Sequence, residues 1–212
     1  MIIPKNIEEK RMAAACKSEA FDIDAFSRLF EDHKNLVYKT AYLMLGSEAD
    51  AEEALQEVFL RVYKSLTSYD SQKGAFSTWL HRITINYCLG RRRKQRLSFQ
   101  PLEEEHQELA SEPGETNPAL LSEKKLVREM IEQLDGKHRA VLVLRFYSGL
   151  PYAEIASILG IPLGTVKSRL VLALKTLRQQ FDRQAAVEGK TSVKFRSQSM
   201  TGPENEGKER KP

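Results

Sequence analysis

YAEIASILGIPLGTVKSRLVLALKTLR, residues 152–178, is the stretch that decides the architecture of this chain. A short apolar-rich helical segment runs to Leu159. Gly160-Ile-Pro162 then turns the chain, and a second helical period extends from about Gly164 to Phe181. Two helices joined by a short glycine-containing turn make a helix-turn-helix pattern. Each residue type suits that geometry. Ala156 is small where the helices must cross closely, Gly160 permits the turn, and Ile155, Ile161, Val166 and Leu170 pin the crossing. Thr165, Lys167, Ser168, Val171, Leu172 and Lys175 fall on the free side of the second helix. A helix N-terminus offers backbone N–H groups to phosphate, and its first-turn side chains can reach base edges. An ordinary helical hairpin with a solvated basic face shares the local pattern.

Upstream, Leu126, Met130, Ile131 and Leu134 form one apolar stripe. Ala140, Val141, Leu144 and Phe146 belong to a further helix, and Gly149-Leu-Pro151 separates it from the motif. Before these, residues 98–118 hold Glu103-Glu-Glu105, Glu108, Glu112, Glu115, Pro101, Pro113, Gly114 and Pro118 with no apolar period. That composition predicts a linker.

The N-terminal half is also helical in pattern. Phe26, Leu29, Phe30, Val37, Ala41 and Met44 recur on one face, and Gly46 ends that helix in a left-handed conformation. Ser47-Glu-Ala-Asp50 resembles a capping box with Asp in place of Glu. Ala51, Leu55, Val58, Val62 and Leu66 make the next stripe. Asp50, Glu53, Gln56, Glu57, Arg61 and Lys64 occupy its opposite face. Phe76, Trp79, Leu80 and Ile83 belong to a third helix. The β-branched Ile83-Thr-Ile85 predicts a break near Asn86.

Residues 69–96 carry a second chemical signal. Tyr69, Phe76, Trp79 and Tyr87 precede Arg91, Arg92, Arg93, Lys94 and Arg96. Stacking a base on an aromatic ring contributes roughly 1–3 kcal/mol, and cations hold the backbone of a single strand. For Phe76 and Trp79 a place in the core is the better reading. The acidic and amide face from Asp50 to Glu57 suits a basic protein partner, or plain solvation.

Composition excludes other classes. The chain has 212 residues, 41% hydrophobic and 29% charged, with a formal charge of +4. Apolar runs stop well short of the ~18 residues of a membrane span. Charges interrupt the first 22 residues too early for a secretory signal. Cys16 and Cys88 are too few for a disulfide scaffold and predict reduced thiols in the cytoplasm. Glu103-Glu-Glu-His106 has a metal-like spacing without a second copy. His33, His81 and His138 are scattered, so neither metal nor cofactor is expected. Phosphate-loop and nucleophile-elbow patterns are absent, and nothing supports an enzyme.

Four blocks in order then carry a resemblance. They are Asp50-Ala-Glu-Glu-Ala-Leu-Gln-Glu-Val-Phe59, Phe76-Ser-Thr-Trp-Leu-His-Arg-Ile-Thr-Ile-Asn86, Leu150-Pro-Tyr-Ala-Glu-Ile-Ala156 and Gly164-Thr-Val-Lys-Ser-Arg169. Together the chain resembles the extracytoplasmic-function (ECF) sigma factors of bacterial RNA polymerase, over about residues 21–96 and 120–182. The resemblance implies an all-α protein of two small helical domains on a flexible linker, the C-terminal one containing the helix-turn-helix. The expected division is an arm at 1–20, a region-two-like domain at 21–96, an acidic linker at 97–120, a region-four-like domain at 121–182 and a disordered tail at 183–212.

It further implies a cytoplasmic initiation factor, not an enzyme, whose partners are core RNA polymerase and promoter DNA, without membrane insertion. A cognate anti-sigma factor is common in this family, and no residue here specifies one. Asp50, Glu53, Gln56 and Glu57 look like the polymerase-docking surface. Trp79, Arg82, Asn86, Arg91, Arg92 and Arg93 look like the contacts to the minus-ten single strand, with Asn86 beside a flipped base. Thr165, Lys167, Ser168 and Arg169 resemble the reader of the minus-thirty-five duplex. Three positions depart from the family. Val171 and Leu172 stand where it often has an aromatic residue or Arg, and Pro151 replaces a Ser or Thr cap. The alternative is a stand-alone helix-turn-helix regulator, which would bind duplex tightly without polymerase and usually as a dimer. A nucleic-acid enzyme would require turnover.

Overall fold

The computed structural model describes residues 23–97 and 118–187, and every described element is helical. The helices are α1 (Ile23–Leu45), α2 (Glu48–Ser65), α3 (Phe76–Leu97), α4 (Pro118–Glu132), α5 (Gly136–Leu142), α6 (Tyr152–Leu159) and α7 (Leu163–Val187). A 3-10 turn at Leu66–Ser68 follows α2, and a π-helical turn at Val143–Tyr147 follows α5. The 1–20 arm, the Glu103–His106 spacing and most of the acidic linker lie outside the described residues. So do Cys16 and the tail beyond 187.

The first three helices bundle around the apolar stripes of the sequence. Leu29, Val37, Ala41 and Met44 of α1 meet Ala51, Ala54, Val58 and Val62 of α2, with Phe76, Leu80, Ile85 and Cys88 of α3 filling the third side. Gly46 has φ +89°, so the backbone there demands glycine, while a Cβ would meet only the movable end of the Glu132 side chain at 2.9 Å. Ser47 caps α2 by accepting from the Asp50 N–H at 3.3 Å, the first half of the expected box.

The expected break near Asn86 does not form. α3 runs unbroken from Phe76 to Leu97. Thr84 and Ile85 are fully buried, and the Thr84 hydroxyl donates to the Leu80 carbonyl at 2.9 Å. Tertiary burial outweighs a propensity deficit of a few tenths of a kcal/mol per residue. Two smaller boundaries also move. Pro118 opens α4 inside the expected linker, a position proline tolerates. α7 continues to Val187, beyond the expected domain end at 182. Phe181, where the second helical period was expected to end, is 41% exposed, because the apolar cover from Ile131, Leu134 and Leu142 reaches along α7 only as far as Ala173 and Leu177.

The two halves pack together. One apolar cluster continues from α1–α3 into Ala140, Val141, Leu144, Ile155 and Val166. Polar groups reinforce it at the C-terminus of α1, where unpaired carbonyls concentrate negative potential. Arg92 and Arg139 donate to the Met44 carbonyl at 3.1 and 2.8 Å, and Arg128 donates to that of Gly46. Arg139 is fully buried. Burial, then the neighbouring Arg92, lower its pKa to about 9.

Candidate functional site

Three surfaces collect the candidate residues. On α2 the acidic face divides in two. Asp50 accepts from Arg91 at 2.5 Å and from Gln95 at 3.1 Å, and Glu53 pairs with the same Arg91. These carboxylates therefore tie α2 to α3. Gln56 is exposed and Glu57 half-buried, and no ion pair holds either among the described residues. Leu60, 51% exposed, continues their strip one turn on. Sequence reading passed over Leu60, although it is an apolar residue outside the Leu55–Val58–Val62 stripe.

The second surface is a pocket of about 210 Å³ between the start of α3, the loop before it and α6. Tyr69, Lys73, Thr78, Trp79, Arg82 and Ser157 help to line it. The Tyr69 hydroxyl donates to the Gly74 carbonyl at 3.1 Å and so closes the loop. Phe76 is fully buried, as the core alternative expects. Trp79 is half-buried, its ring 5.4 Å from Tyr69 and 5.5 Å from Phe76, with one side facing the pocket. The indole is thus held from behind by aromatic packing and presents surface in front.

Arg82 spans the pocket mouth and donates to the Ser157 carbonyl at 2.5 Å and hydroxyl at 3.3 Å. Asn86 lies one turn further along α3, exposed, outside the pocket lining and far from either helix end. It therefore neither occupies a loop nor caps a helix. Arg91 and Arg92 are also committed, to Asp50 with Glu53 and to the Met44 and Leu134 carbonyls. Arg93 is exposed without an ion pair among the described residues. The sequence carried two signals for this pocket, the aromatic residues Tyr69 and Trp79. Its position upstream of Asn86 needed the three-dimensional path of the loop.

The third surface is the helix-turn-helix. α6 and α7 are bent by 101° across Gly160, whose φ of +62° is the left-handed cap. Pro151 caps α6 without a side-chain hydrogen bond. Val166, Leu170 and Ala173 bury one side of α7. Lys167 and Ser168 are exposed, while Thr165 and Arg169 are half-buried at the edges of the free face. Ser168 donates its hydroxyl to the Thr165 carbonyl at 3.1 Å. No helix among the described residues is long and apolar enough to cross a membrane on its own.

The second and third surfaces touch. Beside the Arg82–Ser157 contact, Thr78 donates to Glu154 at 3.4 Å. His81 donates from Nδ1 to the Ser77 carbonyl at 2.8 Å, which leaves Nε2 to accept from the Ser148 hydroxyl at 3.0 Å. Burial, partly offset by the Ser77 bond and by Glu154, lowers the His81 pKa.

Comparison with known proteins bears on the family and the fold. Residues 29–98 match the Sigma-70 region 2 model, and residues 124–177 match Sigma-70, region 4. The chain is 31% identical over 191 residues to the ECF RNA polymerase sigma factor SigW of Bacillus subtilis, covering 85% of this chain and 97% of that protein. It is 36% identical over 159 residues to SigE of Mycolicibacterium smegmatis, covering 73% of this chain and 60% of the relative. Among solved structures, CnrH bound to the cytosolic domain of CnrY superposes with a TM-score of 0.61 at 23% identity, over 83% of this chain and 98% of that one. RpoE from Bartonella quintana, bound to the anti-sigma factor NepR, gives 0.56 at 17%, over 76% and 98%. At those identities the structures speak for the fold.

Proposed function

This chain belongs to the ECF sigma factors of the sigma-70 family, and from that premise we propose that it brings core RNA polymerase to two-part promoters and helps to open the duplex. The observation that carries the reading is the presence in one chain of an aromatic, arginine-gated pocket and a helix-turn-helix. A base cannot be read on its pairing edge inside a duplex, so it must leave the stack at a cost of a few kcal/mol. Trp79 supplies the stacking surface and Arg82 the cation. This pair takes the role that Asn86 was expected to fill, and Asn86 with Arg93 follows the strand along the outer side of α3. Thr165, Lys167, Ser168 and Arg169 read the upstream duplex.

Gln56 and Glu57 make the polymerase-docking strip, while Asp50 and Glu53 hold it in place from behind. The role is one of binding, exerted in the cytoplasm beside polymerase, not of turnover. The arm, two helical domains, linker and tail divide the labour as the boundaries at 20, 96, 120 and 182 suggest, with α4 and α7 lengthened as observed. An anti-sigma protein is a partner of fitting kind, since the RpoE neighbour was solved with one. The stand-alone regulator leaves the pocket without a task.

Pull-down against core polymerase, followed by transcription from a promoter-bearing template, tests the reading. Promoter-dependent transcripts should require this chain and core together. Tight duplex binding by the chain alone, with no capture of core, would favour the regulator.

A further inference from the structure

Val171 is 66% exposed and Leu172 49% exposed at the centre of the free face of α7. Isolated exposed apolar residues are commonplace, but four features set this pair apart. Lys167 and Lys175 stand one turn before and one turn after Val171, so cations frame it along the helix. Gly164 and Ser168 precede the pair on the same side. Gly164 lacks a positive φ, and a Cβ there would meet nothing within 4 Å, so the fold itself has no need of glycine. A glycine and a serine there let the helix approach a ligand closely. Finally, Val is a poorer helix former than the polar residues an exposed site would otherwise hold.

We propose that Val171, flanked by Leu172, reads the C5-methyl group of a thymine in the upstream promoter duplex. The inference rests on the reading that α7 enters the major groove. There the thymine methyl is the apolar mark that distinguishes A·T from the other pairs, and apolar side chains recognise it. Lys167 and Lys175 meet phosphates on either side, which suits a polyanionic duplex better than an apolar protein surface. Where the family often places an aromatic residue or Arg, this chain therefore reads a methyl group, and its upstream element should contain a thymine at that step.

The test uses the full chain with core polymerase and a promoter selected from a library randomised in the upstream element. Each thymine of the selected element is replaced by uracil, which removes the methyl group alone. One replacement should weaken binding about fourfold, the worth of one buried methyl group. In Val171→Ala, whose helicity is checked by circular dichroism, that same replacement should have no further effect, because the two changes are coupled. Equal sensitivity in both proteins, or no sensitive thymine, overturns the proposal. In that case a Lys167→Ala variant that still lowers the salt slope by about one leaves the groove reading standing. An unchanged slope with no selected upstream sequence would sink the groove reading, and this proposal with it.

Discussion

Arg82 and Ser157, 75 residues apart, share two hydrogen bonds across the mouth of the aromatic pocket. The guanidinium that would hold a single strand is thereby spent on the helix-turn-helix half. Thr78–Glu154 and His81–Ser148 repeat the relationship on the same side of α3. The pocket and the helix-turn-helix, proposed above to meet different parts of one promoter, are held against each other.

Loosening that contact should expose the pocket. Glu154→Lys removes the Thr78 acceptor and sets a cation in the neighbourhood of Arg82 and His81. A hydrogen bond to a charged carboxylate is worth about 1.5–3 kcal/mol, and at 3.4 Å this one lies at the weak end, so the docked-to-undocked ratio should fall about tenfold. Small-angle scattering of the free chain should give a larger radius of gyration at unchanged helicity, and a fluorescent single-stranded oligonucleotide should bind more tightly. An unchanged radius and unchanged affinity would contradict this.

The two halves of the α2 acidic face should separate by experiment. Gln56→Lys with Glu57→Lys should weaken core-polymerase binding and leave the free energy of urea unfolding within about 0.5 kcal/mol of the parent. Asp50→Ala should do the reverse. It removes one of the two carboxylates that hold Arg91, and the one that accepts from Gln95, at a cost of about 1 kcal/mol after allowing for solvent screening. Equal loss of polymerase affinity in both variants would show that Asp50 meets polymerase directly.

Residue spacing made the helices legible, because a 3.6-residue apolar period has few other solutions. The Gly46 and Gly160 stops and the Ser47 cap were readable for the same local reason. Asn86 was misplaced because local propensity alone pointed to a break, while the burial of Thr84 and Ile85 kept the helix whole. The pairing of Arg91 with Asp50 and Glu53 was hidden as well. All three read as surface charges in one dimension, and only the packing of α2 on α3 brings them together.

Cys88 offers a probe of the α1–α3 bundle. Burial raises its thiol pKa to about 12, so the reactive thiolate is scarce at neutral pH and shielded from reagents. In a Cys16→Ser background, modification by a water-soluble disulfide reagent should proceed only as fast as the bundle opens. Urea below the midpoint should accelerate it in step with unfolding. Rapid labelling in native buffer would mean that α3 frays at Cys88 on its own.

His81 should make stability depend on pH. Its ring is 3% exposed, its Nδ1 proton is spent on Ser77, and its Nε2 accepts from Ser148. Burial favours the neutral ring and lowers the folded pKa, while Glu154 and the Ser77 bond pull weakly the other way. The unfolded chain titrates near the ordinary histidine value of 6.5. Below that pH the unfolded state takes up a proton that the folded state declines, so unfolding gains free energy as pH falls. The contribution is whole above pH 6.5 and declines toward the folded pKa, at up to roughly 1.4 kcal/mol per pH unit for one proton. Carboxylates begin to interfere below about pH 5. The informative window therefore runs from 6.5 to 5. Urea unfolding of the parent and of His81→Gln across it should show a steeper loss in the parent, since the other histidines are common to both. The variant should start less stable at pH 7, where the Ser148 contact is strained or lost. Parallel slopes would mean that His81 takes up its proton without disturbing the contact between the two halves.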